Sequence, residues 1–213
     1  MLSDRLLHNA RIFAGEMLRD RGYDMSERIT NIPFSEFKTR YANQRDLDLF
    51  TQHQDDPDNR MYVRFFLSQT SKKLSASSLE KETNMISQQT TGQDKFTGEP
   101  NIIFLCEEDL PSNMLLLLKT DKYKNVEVFS YNNLQFNPVK HFFVPKHEIV
   151  PKEEEDNVLK HFSCTRSNMS KEFPRMLSSD IIAKWLGLKP GRLCKITRVS
   201  ESSGFISVYR VVT

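Results

Sequence analysis

One short motif in the sequence could hold a catalytic metal ion. Glu36 and Lys38 have the E-x-K spacing that converges with further acids on Mg²⁺ in metal-dependent nucleases. In those enzymes the motif lies on a strand, whereas here Phe34, Phe37 and Tyr41 recur at the spacing of a helix. The pattern therefore favours a solvent-facing side of a helix over a nuclease site.

Histidine motifs offer little further chemistry. His147 and Glu148 begin like the H-E-x-x-H motif of zinc proteases, but Pro151 occupies the position of the second histidine. The five histidines have no ligand spacing with a cysteine, so no metal site is predicted. The glycine-rich motifs that bind nucleotide phosphates are absent from the sequence, and no cofactor is expected.

The three cysteines are too few and too widely spaced for a disulfide framework, which indicates a reducing, intracellular setting. Cys106 and Cys194 lie in apolar strand patterns, where a small buried side chain is the expected role. Cys164 lies in a polar stretch that favours exposure. A Cys–His nucleophilic pair forms in space rather than in sequence, so this alternative stays open.

Composition excludes several classes of protein. The chain has 213 residues, of which 38% are hydrophobic and 27% charged, which is enough for a packed core. A net charge of +2 excludes binding to nucleic acid through bulk charge alone. The longest apolar run, Met114–Leu118, is far shorter than the roughly 20 residues that span a bilayer. The first residues lack the basic and then apolar pattern of a signal peptide.

Charge is unevenly distributed along the chain and indicates two domains. Residues 1–140 contain 18 basic and 20 acidic side chains, a net of −2, whereas residues 141–213 contain 12 and 8, a net of +4. Asn132–Asn133 and Asn137–Pro138, which lie near this shift, are typical of loops. We therefore predict one domain over 1–140 and a second over 141–213.

The N-terminal domain is predicted to contain helices and a sheet. Apolar residues at helical spacing indicate a first helix that ends at Gly22 and a second helix around Pro33–Tyr41. The polar segment Ser71–Gln89 indicates either a helix or a mobile arm. Strands are predicted at Leu47–Leu49, Met61–Leu67, Ile102–Cys106, Met114–Leu118 and Val126–Tyr131, the last two paired through a turn at 120–125.

The C-terminal domain is predicted to be a small α+β unit that ends in a β-hairpin. Ser178 or Ser179 is expected to cap its second helix, which ends at Gly187. The fold class of the whole chain is therefore mixed α/β or α+β. In chain order, the predicted elements of this domain are a strand Phe142–Val144 ended by Pro145, helices Glu153–Phe162 and Asp180–Leu186, and hairpin strands Leu193–Val199 and Phe205–Val212 joined by the turn Glu201–Gly204.

A basic cluster in the C-terminal domain could bind either phosphate groups or an acidic protein surface. Aromatic residues are not interleaved with it as a base-stacking platform would require. A protein interface is therefore favoured, and the phosphate alternative stays open. The cluster comprises Lys184, Lys189, Arg192, Lys195, Arg198 and Arg210.

An ordered string of residues through the C-terminal domain is specific enough to identify a family. It contains His141, Val144–His147, Pro174–Arg175, Asp180, Gly187–Lys189, Gly191, Lys195–Ile196, Arg198, Ser200–Glu201, Gly204 and Tyr209–Arg210. The string resembles the C-terminal module of the fifth subunit shared by eukaryotic RNA polymerases and of the corresponding archaeal polymerase subunit. No common structural pattern produces it.

The N-terminal domain resembles the jaw domain of the eukaryotic subunit, which the archaeal protein lacks. Gln135–Pro138 replaces the family's Thr-Pro-Ser-Ala motif near DNA, and about twenty residues that normally follow are missing. Residues 57–100 form a longer segment than the family pattern matches, and no role is assigned to them. This drift favours a divergent homologue, such as one from a large DNA virus with its own polymerase. The matching segments are Asp20–Tyr23, Pro33–Phe34, Phe37–Lys38, Tyr41 and 128–140.

The resemblance implies a non-catalytic subunit of a DNA-directed RNA polymerase. Its C-terminal domain would anchor on the largest subunit, and its jaw would lie beside downstream duplex DNA without reading sequence. It would reside in the nucleus if cellular, or in the viral factory and virion if viral. The implied interface residues are His141, Pro145, His147, Pro174, Arg175, Asp180, Gly187, Leu188, Gly191, Lys195, Arg198, Tyr209 and Arg210, and the DNA-proximal residues are Lys140, Lys122 and Lys124.

Two alternatives to this function remain. The first is a freestanding nucleic-acid-processing enzyme, because the family's jaw is similar in fold to restriction-type nucleases. An intact pair of strand-borne acids with an E-x-K motif would distinguish it, and the sequence shows none. The second is a polymerase-associated adaptor, which sequence cannot separate from a core subunit.

Overall fold

The computed structural model describes residues 4–26, 32–41, 44–66, 74–91, 99–200, 202 and 204–213. Parts of some predicted elements, among them Leu67, Ser71–Lys73 and Glu201, lie outside the described residues. The chain divides into two compact units, Met1–Phe136 and Asn137–Thr213. Residues 137–140 therefore group with the second unit rather than the first.

The first unit begins with helix α1, Asp4–Asp20, as the apolar spacing predicts. The helix ends in a Schellman motif, in which the Gly22 N–H donates to the Arg19 carbonyl at 3.0 Å and the Tyr23 N–H donates to the Leu18 carbonyl at 2.9 Å. Gly22 has a φ of +88°, a left-handed conformation that favours glycine. The other described α-helices of this unit are α2, Phe34–Arg40, α3, Ala76–Thr91, and α4, Ser112–Leu118.

Four strands form the sheet of the first unit in the order β1-β2-β3-β4, namely Leu49–Gln52, Arg60–Phe65, Asn101–Cys106 and Val126–Ser130. β1 and β2 are antiparallel, whereas β2, β3 and β4 are parallel to one another. Parallel neighbours require crossover connections, and α3 and α4 lie in those connections. Strand β3 is central and almost wholly buried, which explains its unbroken apolar run.

Two predictions in this unit are wrong. Met114–Leu118 belongs to helix α4 rather than to a strand paired with β4. Because β4 instead pairs in parallel with β3, this segment has to form the crossover, and leucine favours a helix there. The strand predicted at Leu47–Leu49 is displaced, since a 3₁₀ turn over Gln44–Leu47 precedes β1.

The second unit is built on a four-stranded sheet in the order β5-β7-β8-β6. The long hairpin of β7 and β8 confirms the predicted C-terminal hairpin. It is bordered by the short strands β5, antiparallel to β7, and β6, parallel to β8. In chain order the elements are β5 Lys146–Ile149, α5 Lys152–His161, α6 Met169–Glu172, β6 Arg175–Met176, α7 Ile181–Trp185, β7 Leu193–Ser200 and β8 Gly204–Val212.

The strand predicted at Phe142–Val144 is wrong. This segment is a turn closed by a hydrogen bond from the Val144 N–H to the His141 carbonyl at 2.9 Å. Strand β5 begins only after Pro145, where Lys146 pairs with Thr197 of β7. Pairing with a distant strand, rather than local apolar content, decides where β5 lies.

Two further predictions in the second unit are corrected. Asp180, rather than Ser178 or Ser179, caps α7, because its carboxylate accepts a hydrogen bond from the Ile182 N–H at 2.8 Å. Cys164 is buried rather than exposed. The predicted class, helices with mixed sheets and a C-terminal hairpin, is confirmed. Among the described residues, no helix is both long enough and apolar enough to cross a membrane.

Candidate functional site

The E-x-K motif lies on helix α2, as its apolar spacing predicts. Glu36 forms an i,i+4 ion pair with Arg40 at 3.5 Å, and both side chains are more than half exposed. The motif therefore lies on a helix rather than on a strand, and Glu36 is on its solvated side. Within the described parts of the chain, no group of three or more His, Cys, Asp or Glu side chains is placed to hold a metal ion.

The cysteines are placed unfavourably for nucleophilic chemistry. All three are free thiols and all three are buried. Burial raises the pKa of Cys194 to about 11. An activated cysteine needs a pKa lowered toward neutrality, so this environment acts in the opposite direction.

Two carboxylates converge on a buried cation in the first unit. The Asp48 carboxylate accepts hydrogen bonds from Arg64 Nη1 at 2.7 Å, the Tyr62 hydroxyl at 3.0 Å and the Phe65 N–H at 3.0 Å. Arg64 Nη2 donates to Glu82 Oε2 at 2.9 Å and so ties β2 to α3. This network was not predicted from the sequence, where its only local signal is an acidic residue between Leu47 and Leu49. Because the two acids bind a guanidinium, the network is structural.

Strand pairing brings several of the implied interface residues onto one sheet of the second unit. Residues directly paired across strands share a face, so Lys195 and Tyr209 lie on one face, and Arg198 and Arg210 lie on the other. The Tyr209 ring also packs edge-on against Phe162, with ring centroids 5.7 Å apart. The sheet includes His147, Arg175, Lys195, Arg198, Tyr209 and Arg210.

Several other implied interface residues have local structural roles. Asp180 caps α7, and Gly187, with a φ of +66°, ends it. The Gly187 N–H donates to the Lys184 carbonyl at 3.0 Å and the Leu188 N–H to the Ala183 carbonyl at 2.9 Å, which is again a Schellman motif. The Leu188 side chain is buried within this unit. These residues shape the end of α7 and the turn that follows it.

Turn geometry also explains other members of the string. Gly191 has a φ of +85° in the turn before β7. The Pro174 carbonyl accepts a hydrogen bond from the Val211 N–H at 2.9 Å, which aligns β6 with β8. His147 Nδ1 donates to the Pro145 carbonyl at 2.6 Å, whereas His141 is exposed.

The fold does not keep the predicted basic cluster together on one surface. Arg192 Nε donates to Glu155 at 2.7 Å and its Nη2 to the Val150 carbonyl at 2.7 Å. The Glu155 side chain is only 4% exposed, so Arg192 neutralises a buried carboxylate inside the unit. The basic residues of the hairpin itself are Lys195, Arg198 and Arg210.

Exposed apolar side chains at the hairpin end were missed by the sequence analysis. Val199 and Phe205 are paired across the strands and are 78% and 76% exposed. The sequence contains no signal for this exposure, because it depends on the neighbouring strands: β5 has four residues and β6 two, whereas the hairpin strands have eight and nine, so the hairpin extends beyond them. Phe142 and Phe143 are also exposed, at 91% and 83%, in the turn before β5.

The implied DNA-proximal lysines are not all in one unit. Lys122 and Lys124 flank Tyr123 near a 3₁₀ turn before β4 in the first unit, whereas Lys140 belongs to the second. The Lys122 ammonium forms an ion pair with Glu80, and this hydrogen bond raises the pKa of Lys122. Lys124 and Lys140 are exposed.

The comparisons with known proteins identify the class of this two-unit chain. The family model described as RNA polymerase Rpb5, N-terminal domain, matches residues 4–84, and that described as RNA polymerase Rpb5, C-terminal domain, matches residues 136–212. The chain is therefore a subunit of a DNA-directed RNA polymerase. The N-terminal match includes residues 57–84 of the segment to which the sequence resemblance assigned no role.

Relatives along nearly the full chain support the same conclusion. Subunit 5B of DNA-directed RNA polymerases IV and V from Arabidopsis thaliana is 30% identical over 201 residues, which cover 93% of this chain and 85% of that protein. Subunit RPABC1 of DNA-directed RNA polymerases I, II and III from Caenorhabditis elegans is 25% identical, with 92% and 90% covered. The Dictyostelium discoideum counterpart is 26% identical, with 92% and 91% covered. The chain belongs to the Rpb5 family, which confirms the resemblance found in the sequence.

Proposed function

We propose that the second unit anchors this subunit on the largest subunit of its polymerase, and that the first unit is a jaw beside downstream duplex DNA. The observation that carries the anchoring proposal is the end of the β7–β8 hairpin. There the paired side chains Val199 and Phe205 are both more than three-quarters exposed. Contiguous exposed apolar side chains on a soluble protein mark a surface that another protein covers.

Charge on the same hairpin indicates the chemistry of the partner. Its two strands contain Lys195, Arg198 and Arg210, and neither strand contains an acidic residue. Complementary electrostatic potentials orient two proteins as they bind, and repulsion disfavours partners whose surfaces have the same charge. The surface on the largest subunit should therefore combine apolar and acidic side chains. The exposed members of the implied interface are available to such a partner, whereas the buried Leu188 contributes only by shaping the unit.

The anchoring proposal is tested by purification of the polymerase with tagged full-length variants. Val199→Asp combined with Phe205→Asp should abolish co-purification of the largest subunit, because two carboxylates would then enter an apolar and acidic interface. Leu116→Asp is the matched control, since Leu116 is 66% exposed but lies on α4 of the first unit. Equal recovery of the largest subunit with the doubly substituted chain would refute anchoring through the hairpin end.

Stoichiometry distinguishes a core subunit from an adaptor. A core subunit should be present at one copy per largest subunit and should remain after washing in high salt, because its interface is partly apolar. Substoichiometric recovery that falls with salt would favour the adaptor. The subunit is expected wherever its polymerase acts: in the nucleus for a cellular enzyme, or in the viral factory and virion for a viral one.

The proposed DNA contact is through phosphates, which position a protein without reading sequence. The candidate contacts are Lys122, Lys124 and Lys140, and all three side chains are exposed. At a net charge of +2, the isolated chain should bind duplex DNA poorly at physiological salt. Assembly into the polymerase would hold the subunit near DNA, which the small net charge of the isolated chain cannot do.

The DNA proposal is tested in assembled polymerase. Each phosphate contact contributes about −0.9 to the slope of log K against log salt, so Lys124→Ala or Lys140→Ala should make that slope less negative by about this amount. Lys152→Ala, at the exposed start of α5, is the control. Unchanged slopes for both variants, or tight sequence-selective binding of labelled duplex by the isolated chain, would contradict the proposed phosphate contacts.

The proposed non-catalytic role and the rival nuclease function make opposite predictions. Purified chain with Mg²⁺ or Mn²⁺ should not cleave DNA or RNA, because Glu36 lies on a solvated helix paired with Arg40. Cleavage that disappears in Glu36→Ala would refute the non-catalytic jaw role proposed for this unit.

A further inference from the structure

The outer edge of strand β8 is open along most of its length. β6 pairs with β8 only at two positions, Arg175 with Val211 and Met176 with Val212. Beyond that point β8 continues toward the hairpin turn from Arg210 back to Gly204, paired only with β7. In the described part of the chain, no strand pairs with the other side of this segment.

The direction of the backbone groups follows from the hydrogen bonds at the closed end of β8. The Val211 N–H donates outward to the Pro174 carbonyl at 2.9 Å, whereas the Val212 N–H donates inward to the Arg192 carbonyl at 3.0 Å. Because a strand alternates with a period of two, odd-numbered residues present their N–H and C=O groups to the outer edge. The outward residues are Phe205, Ser207 and Tyr209.

These three N–H groups have no backbone partner among the described residues. Proteins usually protect such an edge with proline, lysine, a bulge or a covering loop. None of the residues from Phe205 to Tyr209 is proline or charged, and Phe205 and Ile206 are exposed. The edge is therefore suited to accept an added strand from another polypeptide.

We propose that an extended segment of the largest polymerase subunit adds as a strand to β8 at Phe205–Tyr209. This inference rests on the proposed anchoring and specifies its chemistry: main-chain hydrogen bonds to the outward groups, with apolar and acidic side chains in the added segment. A second copy of this chain is a poorer occupant. The two strands of each hairpin contain Lys195, Arg198 and Arg210 and no acidic residue, so two hairpins brought together would repel each other.

Proline at position 207 tests the edge while sparing the hairpin. Ser207→Pro removes an outward N–H, which an edge strand tolerates, and leaves the inward hydrogen bonds of Ile206 and Val208 intact. Ser207→Ala removes only the hydroxyl and is the matched control. Both full-length variants should keep the Trp185 fluorescence and urea midpoint of the second unit, whereas Ser207→Pro should weaken binding to the largest subunit about tenfold or more.

Hydrogen exchange on the wild-type complex supplies a second readout that does not depend on a variant. The amides of Phe205, Ser207 and Tyr209 should exchange rapidly in the free chain and become protected in the assembled polymerase. The amides of Ile206 and Val208 should be protected in both states, because they already bond to β7. This alternation is the signature of an added strand.

The outcomes separate the two proposals. If wild-type chain binds the largest subunit through Val199 and Phe205 but Ser207→Pro binds equally well and the three amides stay unprotected, strand addition is wrong and anchoring stands. If wild-type chain does not bind the largest subunit, the anchoring proposal itself fails. If free chain forms dimers that Ser207→Pro dissociates, the occupant of the edge is a second copy and the proposed occupant is wrong.

Discussion

Replacing Arg64 by methionine should strongly destabilise the first unit. The change removes the cation from between Asp48 and Glu82, whose oxygens lie 2.7 and 2.9 Å from its guanidinium. Methionine fills much of the same volume, so the effect of the missing charge dominates. The Asp48 side chain is only 7% exposed and would be left without its ionic partner.

The magnitude follows from the burial of this carboxylate. Removing one partner of a buried ion pair costs about 3–5 kcal/mol, a large part of the roughly 5–15 kcal/mol by which a domain is stable. At a urea m-value of about 2 kcal/mol per molar, the midpoint should fall by about 1.5–2.5 M. Arg40→Ala is the control, because its pair with Glu36 is exposed and contributes less than about 1 kcal/mol.

The sign of the pH dependence gives an additional test. Burial raises the pKa of Asp48 above its ordinary value even with Arg64 present, and loss of Arg64 raises this pKa further. A carboxyl whose folded pKa exceeds its unfolded pKa loses stability as pH rises from the unfolded pKa through the folded one. The cost of Arg64→Met relative to wild type should therefore be larger at pH 7 than near pH 4.

Two probes in one urea titration make the assay specific. Trp185 is the chain's only tryptophan and is 1% exposed in the second unit, so its fluorescence reports that unit, while far-ultraviolet circular dichroism reports both. Arg64→Met should shift the circular dichroism transition and leave the tryptophan transition in place. A midpoint within about 0.5 M of wild type by circular dichroism, or a penalty that grows at low pH, would refute the buried-pair reasoning.

Three further predictions concern a turn, a cap and the thiols. Gly22→Ala should lower the urea midpoint measured by circular dichroism by the equivalent of about 1 kcal/mol or more. The reason is that φ at this position is +88° and an added Cβ would lie 2.7 Å from His53 Nε2. A variant as stable as wild type would contradict this. Asp180→Ala should lower the Trp185 fluorescence midpoint by the equivalent of about 1 kcal/mol through loss of the α7 cap, and an unchanged midpoint would show that the cap is dispensable. At pH 8 a thiol reagent should label no cysteine of the native chain, because all three thiols are buried and burial raises the pKa of Cys194 to about 11. Labelling before urea is added would show that the thiols are accessible.

Local signals determined the elements whose causes are local. Helix α1 and its end at Gly22 follow from apolar spacing and from a glycine that must adopt a positive φ. The C-terminal hairpin follows from two apolar runs joined by a short turn. The motif string from His141 to Arg210 also identified the family, because its glycines and the Asp180 cap are positions where the backbone requires a particular residue type.

Tertiary structure alone decided the features that depend on distant partners. Met114–Leu118 has a composition that suits either a strand or a helix, and only the parallel pairing of β3 with β4 makes it a crossover helix. Asp48 is one acid among many until the fold places Arg64 beside it, 16 residues along the chain. The open edge at Phe205–Tyr209 exists because β6 pairs with only two residues of β8. Strand neighbours and ion-pair partners are set by long-range packing, which local periodicity does not encode.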